Sequence, residues 1–304
     1  DALPYLPILA GYAVQGGLES ERFLWDWRKT VGQLMAENYF GYFGELCHKH
    51  GLMFSTEPYS GPFDDLEVGS TADIVMGEFW VGMGNMMSST KIASSIAHMR
   101  GSAIVGAEAF TAPDNLAGWD GSPARIKVLC DHAWCEGITH FIYHTFAHQP
   151  YDIGPGFSLG GYGSQMNRLS TVWEPAKAFQ EYVKRSQYLL QQGRFVGDIL
   201  LYNGETSPND GTYRVDIPEM GLDYDEISTA TLAALRVKNG KIVTSSGGEY
   251  RLLVLPKGEY MTPQTLAIIE RLANEGAAII GPRPSASPSL VPMSLQISCA
   301  RAGV

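Results

Sequence analysis

Between residues 17 and 50 the apolar positions Phe23, Leu24, Trp27, Val31, Leu34 and Met35 recur at three- and four-residue intervals. That period predicts a long amphipathic helix, or a pair of helices, ended by Gly51. The pattern then changes to short continuous apolar runs separated by helical stretches. The runs are Leu52 to Glu57, Ile74 to Glu78, Ala103 to Glu108 and Ile138 to His144. Runs of this kind read as buried parallel strands of βα units. Helices are predicted over about 88–100, from Pro123 to Gly137 with Ser122 as cap, and over 170–192.

Three of the four runs end in a glutamate, and Glu57, Glu78 and Glu108 lie 21 and 30 residues apart. An acid on the last residue of such a strand sits at the carboxyl rim, where β/α barrel enzymes build their active sites. The spacing is about one βα repeat each time, so the three are expected to converge on one point. Four strands fall within residues 1–194, whereas a full eight-stranded barrel takes about 250 residues. The expected fold class is therefore α/β, with a partial, second-half TIM-type β/α barrel over 1–194.

Residues 195–288 read as a small flavodoxin-like α/β domain. Its strands are Phe195 to Tyr202, Tyr250 to Leu255 and Ala277 to Gly281, and its helix starts at Thr262-Pro263 and stops at Gly276. The first strand runs into Tyr202-Asn203-Gly204-Glu205 without a glycine fingerprint, so no nucleotide is expected there. Residues 289–304 have no usable period and are expected to form an irregular tail. The opening Asp1-Ala2-Leu3-Pro4 has neither an initiator methionine nor a signal-peptide pattern, which suggests a processed, trimmed or partial chain.

A net charge of −10 over 304 residues, without clustered Lys and Arg, argues against a nucleic-acid partner. No apolar run approaches the roughly 20 residues of a membrane span. Cys47, Cys130, Cys135 and Cys299 form no CxxC pair and read as free thiols.

Each glutamate has a plain alternative as a rim residue bonded to backbone amides, and each has a functional reading. Glu108 lies among Gly106, Ala107 and Ala109, which would let a substrate ring approach closely. Glu78 precedes Phe79-Trp80, and Glu57 precedes Pro58-Tyr59. Carboxylates beside aromatic platforms suit sugars, whose apolar ring faces stack on such side chains. Trp119 offers a further platform in the loop after the third strand. His140 and His144 share a strand face by the period of two, with Tyr143 and His148 nearby. That group is open to three readings: a zinc site, packing, or hydrogen bonds to substrate hydroxyls. The glycine-rich stretch from Gly154 to Gly163 fits no phosphate-binding pattern and is expected to be a rim loop.

The stretches Pro4-Tyr5-Leu6-Pro7, Glu21 to Asp26, Ser55-Thr56-Glu57-Pro58-Tyr59, Met76 to Trp80, Gly106 to Thr111 and Cys135 to Pro150 together resemble glycoside hydrolase family 106, the α-L-rhamnosidases. The resemblance runs from residue 1 to about 288, and the tail departs from it. It implies an inverting, calcium-assisted hydrolysis of terminal α-L-rhamnosides in a (β/α)₈ barrel. Glu108 would be the general base and Glu78 a calcium- or sugar-contacting carboxylate. The family's general acid lies on a strand earlier than this chain begins, so Glu57 or Glu78 would have to replace it if the chain acts alone. Tyr59, Trp80, Trp119, His144 and His148 are the expected sugar contacts. A carbohydrate substrate and a secreted or periplasmic location follow from the same resemblance. Two other functions remain open: a sugar-binding fragment without turnover, and a hydrolase of changed specificity. A half barrel has open sheet edges, so a homo-oligomer is also expected.

Overall fold

The computed structural model describes residues 2–82, 88–113, 119, 121–211 and 221–290. Helix α1 (Gly17–Met35) continues through a single π-helical segment, Ala36–Gly41, into α2 (Tyr42–Lys49). Gly51, at φ +69°, ends the helix as expected. The Leu52 N–H donates to the Cys47 carbonyl and the Gly51 N–H to that of His48, the paired bonds of a Schellman stop.

The chain then alternates strand and helix: β1 (Ser55–Thr56), α3 (Asp65–Gly69), β2 (Ile74–Trp80), α4 (Ser88–Arg100), β3 (Gly106–Thr111), α5 (Pro123–Cys135), β4 (His140–Tyr143) and α6 (Ala176–Leu190). Strands β1 to β4 form one parallel sheet in sequence order. One face packs on the helices through Val75, Phe79, Ala107, Phe110 and Phe141, which join Ile92, Ile96, Ile126 and Phe179 in the larger core.

Three strand ends differ from the sequence reading. Strand β2 runs on to Trp80 and β3 to Thr111, so Glu78 and Glu108 lie inside their strands and not at the last residue. The first run pairs with β2 only at Ser55 and Thr56, and the Phe54 carbonyl just before them accepts from the Asp73 and Ile74 N–H groups. Glu57 follows directly after that pairing. Ser122 starts α5 through its backbone carbonyl, which accepts from Arg125 and Ile126, and not through its side chain.

The second part contains β5 (Ile199–Tyr202), β6 (Tyr224–Ile227), α7 (Thr229–Ala234), β7 (Arg236–Lys238), β8 (Lys241–Val243), β9 (Glu249–Tyr250), β10 (Leu252–Val254), α8 (Pro263–Asn274) and β11 (Ile279–Ile280). A parallel sheet has the order β11-β10-β5-β6, and β7, β8 and β9 make a small antiparallel sheet. Thr262 caps α8 by accepting from the Thr265 N–H, with Pro263 in the first turn, as its sequence predicts. Strand β6 escaped the apolar pattern because it carries Asp225 and Glu226, both fully buried. Their oxygens are taken up by Tyr250, His98 and Asn203.

Helix α4 packs on β2 with one side and on β6 with the other. Ile92, Ala93, Ile96 and Ala97 belong to the first core. Lys91 pairs with Asp223 at 2.8 Å, and Ser95 accepts from the Glu226 N–H. One helix thus serves both sheets.

Candidate active site

In the parallel register Glu78 lies directly beside Glu108, and Glu108 beside Ile142. Register partners share a face, so the two carboxylates project side by side, away from the helical core. The backbone of Glu78 is fixed from behind. Its N–H donates to Ser89 Oγ at 2.9 Å, in the first turn of α4. Gly77 makes that approach possible, since a Cβ there would stand 2.7 Å from the Ser89 carbonyl oxygen.

Strand β3 carries a bulge. Phe79 pairs with Ala109 but Trp80 pairs with Thr111, leaving Phe110 as an extra residue at φ +65°. Without it, alternation would place Thr111 on the opposite face from Glu108. With it, Phe110 turns into the core and Thr111 joins the glutamate. The Thr111 hydroxyl donates to Glu108 Oε1 and lies 3.0 Å from His144 Nδ1. His144 Nδ1 is also 3.3 Å from the same carboxylate oxygen. Glu108 is thereby held in one orientation by a hydroxyl and an imidazole, and is half-buried.

Glu57 completes the group from the end of β1. Tyr59 donates to its Oε2 at 3.0 Å. Burial pushes the Glu57 carboxyl up to about 7, against a smaller opposing effect of the Tyr59 bond and with added repulsion from Glu108 and Glu78. The same surroundings drive the Tyr59 phenol upward, through burial first and the neighbouring glutamates next. Glu57 is therefore about half protonated near neutral pH, where an ordinary glutamate is ionised, and the protonated share can act as a proton donor.

That protonation has a consequence for stability. The folded chain holds a proton that the unfolded chain loses near the ordinary value of 4.5. The contribution is full below that value and is lost as pH rises through about 7. Glu57→Gln mimics the protonated form, so its melting temperature should fall less than that of the wild type between about pH 5 and pH 8.5. Parallel pH series of thermal melts for the two chains check this, and identical slopes would contradict it.

Trp80 and Tyr162 form an edge-to-face pair with centroids 5.6 Å apart, at the end of β2 and in the glycine-rich loop. Tyr162 is brought there by the bridge between Pro113 and Tyr162. His148 and Trp119 are exposed on the loops after β4 and β3, and neither hydrogen-bonds to the glutamates among the described residues. Asp120 and residues 83–87 and 114–118 lie outside the described residues. His140 pairs with Gly106, four residues before His144. At about 3.3 Å per residue this separates the two histidines by about 13 Å along the strand, too far for one zinc ion. Among the described residues no three His, Cys, Asp or Glu side chains come together to hold a metal.

Thr111 and Tyr162 are the site residues that sequence reading missed. Thr111 comes into the site only through the bulge, and Tyr162 only through a long-range bridge.

Residues 1–300 match the glycoside hydrolase 106 family, described as alpha-L-rhamnosidase. The match passes residue 288 and takes in most of the tail, further than the motifs predict. A protein of Formosa agariphila with the provisional name of a beta-glucuronidase is 53% identical over 286 residues, 94% of this chain and 24% of its own. Among solved structures, a rhamnosidase from Novosphingobium sp. PP1Y aligns with a TM-score of 0.87 at 31% identity, over 95% of this chain and 29% of that one. A beta-galactosidase from Rahnella sp. R3 aligns at 0.53 with 10% identity, over 88% and 42%, a likeness of fold alone. The chain spans about a quarter of the length of the curated relative.

Proposed function

Since this chain belongs to the glycoside hydrolase 106 family, we propose that its rim carboxylates form the base side of a glycosidase centre for terminal α-L-rhamnosides. The observation that carries this reading is Glu108, oriented by Thr111 and His144 and set in register beside Glu78. In an inverting reaction Glu108 would take a proton from the attacking water, and an acid across a gap of about 6.5–9.5 Å would protonate the leaving oxygen. When the chain acts alone, Glu57 is the carboxyl suited to that role, because burial raises it to about 7 and leaves a share of it protonated near neutral pH. Trp80 and Tyr162 supply the aromatic wall for the sugar ring.

A panel of chromogenic glycosides tests the reading. Release from the α-L-rhamnoside supports it, and release from the β-D-glucuronide alone would transfer the site to the activity named for the Formosa relative. The second reading is sugar binding without turnover. Rhamnose binding by calorimetry, with no release from any member of the panel, would establish that reading instead.

The same proposal takes the first sheet as half of a β/α barrel, supported by its parallel order and by helices on one face. It takes the second sheet as flavodoxin-like, supported by its strand order second-first-third-fourth.

Calcium at Glu78 belongs to the same proposal, although the described side chains alone group no three possible ligands. A melt with and without chelator checks it. A drop reversed by calcium is expected, and equal midpoints would remove the metal role from Glu78.

The glutamate-bearing face also exposes Ile104 and Ile142, with Leu52 and Met53 beside the edge strand β1. An uncovered apolar sheet face with an open edge favours association. Light scattering over a dilution series should show a concentration-dependent mass, and a monomer at every concentration would overturn this.

A further inference from the structure

At the opposite end of the strands from the glutamates lies a cavity of about 540 Å³. It is walled by the segments leading into β3, β4 and β5 and by the β8–β9 turn, so it sits between the two parallel sheets. Its volume and its place at a junction are those of small-molecule sites. Phe195 stacks on His98 with centroids 4.1 Å apart and planes 6° off parallel. His98 is in turn bonded to Asp225 at 2.8 Å, and Tyr250 donates to the other Asp225 oxygen at 2.5 Å.

The charges are uneven. Lys241 pairs with Glu249 at 2.6 Å and Arg251 with Asp198 at 3.4 Å, which uses both lining carboxylates. Arg194 lines the same cavity and has no ion pair among the described residues. The Arg194 guanidinium is exposed at the rim of the cavity, where an anion can reach it from solvent. Leu190 and Val196 stand exposed on either side of it in sequence, giving apolar surface beside the charge. Trp134, also in the lining, has its indole N–H buried without an acceptor among the described residues.

We propose that this cavity is a second binding site, separate from the rim carboxylates, for a small aromatic compound with one negative charge. The ring would lie against Phe195 and Val196, and the carboxylate or sulfonate would pair with the Arg194 fork. The inference does not depend on the glycosidase reading.

The probe is 8-anilinonaphthalene-1-sulfonate, titrated by fluorescence into the wild-type chain, Arg194→Glu and Val196→Asp. Both positions are exposed, so far-UV circular dichroism and melting should match wild type. Saturable binding is expected in the wild type, weakened at least tenfold in each variant. Benzoate should displace the probe, and the neutral isostere benzyl alcohol should not. Equal affinity in all three chains would place the probe on other apolar surface and overturn the proposal, as would no binding. Equal competition by benzyl alcohol would overturn the requirement for an anion.

Discussion

Glu108→Gln is expected to lower turnover of an aryl α-L-rhamnoside by about 10²–10⁴-fold, the usual worth of a positioned general base. The substitution keeps the shape of the side chain and its hydrogen bond from Thr111, but removes the basic oxygen. Because Glu108 is half-buried and projects away from the helical core, the melting temperature should stay close to wild type. Thr111→Val makes a useful partner. It leaves the carboxylate and removes one of the two groups that orient it, so a smaller loss of about tenfold is expected from misplacement. Initial rates for the three chains across pH check both statements. An unchanged rate in Glu108→Gln would remove Glu108 from the reaction, whatever the fate of the fold.

Phe110→Ala should produce the largest loss of stability, about 3–5 kcal/mol from the deleted ring and the cavity it leaves. Phe110 is fully buried and meets Phe79 at 5.0 Å, Tyr143 at 5.3 Å and Phe141 at 5.4 Å between centroids. Domains of this kind have about 5–15 kcal/mol in total, so one ring is a large fraction. The same residue makes the bulge that brings Thr111 to Glu108. Losing its anchor in the core should therefore loosen the site as well as the fold. Urea unfolding gives the first effect and the rate at low denaturant the second. A stability loss under about 1 kcal/mol would mean that the aromatic cluster closes over the gap and that the bulge is held by other contacts.

The comparison between sequence and structure turns on which information is local. The four strands of the first sheet and helices α4, α5 and α6 were legible, because continuous apolar runs and the 3.6-residue period are short-range signals. The five-residue α3 is too short to show a period and was missed. The convergence of Glu57, Glu78 and Glu108 was legible for the same reason, through their spacing. What escaped depends on contacts distant in sequence. The strand ends were misplaced because β2 and β3 continue past their glutamates, into Trp80 and Thr111, where the bulge adjusts the register. Strand β6 was hidden by two buried acids, whose partners lie on other elements. His140 and His144 shared a face as expected, yet strand rise alone keeps them apart.

Helix α4 belongs to two structures at once. Its first turn holds the backbone of Glu78 through Ser89, and its last turn sends His98 to Asp225 beneath the second sheet. A biochemist trimming this chain to its carboxylate-bearing portion would strip the cover from Lys91 and His98 on the very rod that fixes the backbone of Glu78. The scissors would fall between two sequence segments, but the wound would open along one helix. Stability and chemistry in this molecule are therefore inherited together, and a shorter working version would need a redesigned outer face on α4 before anything else.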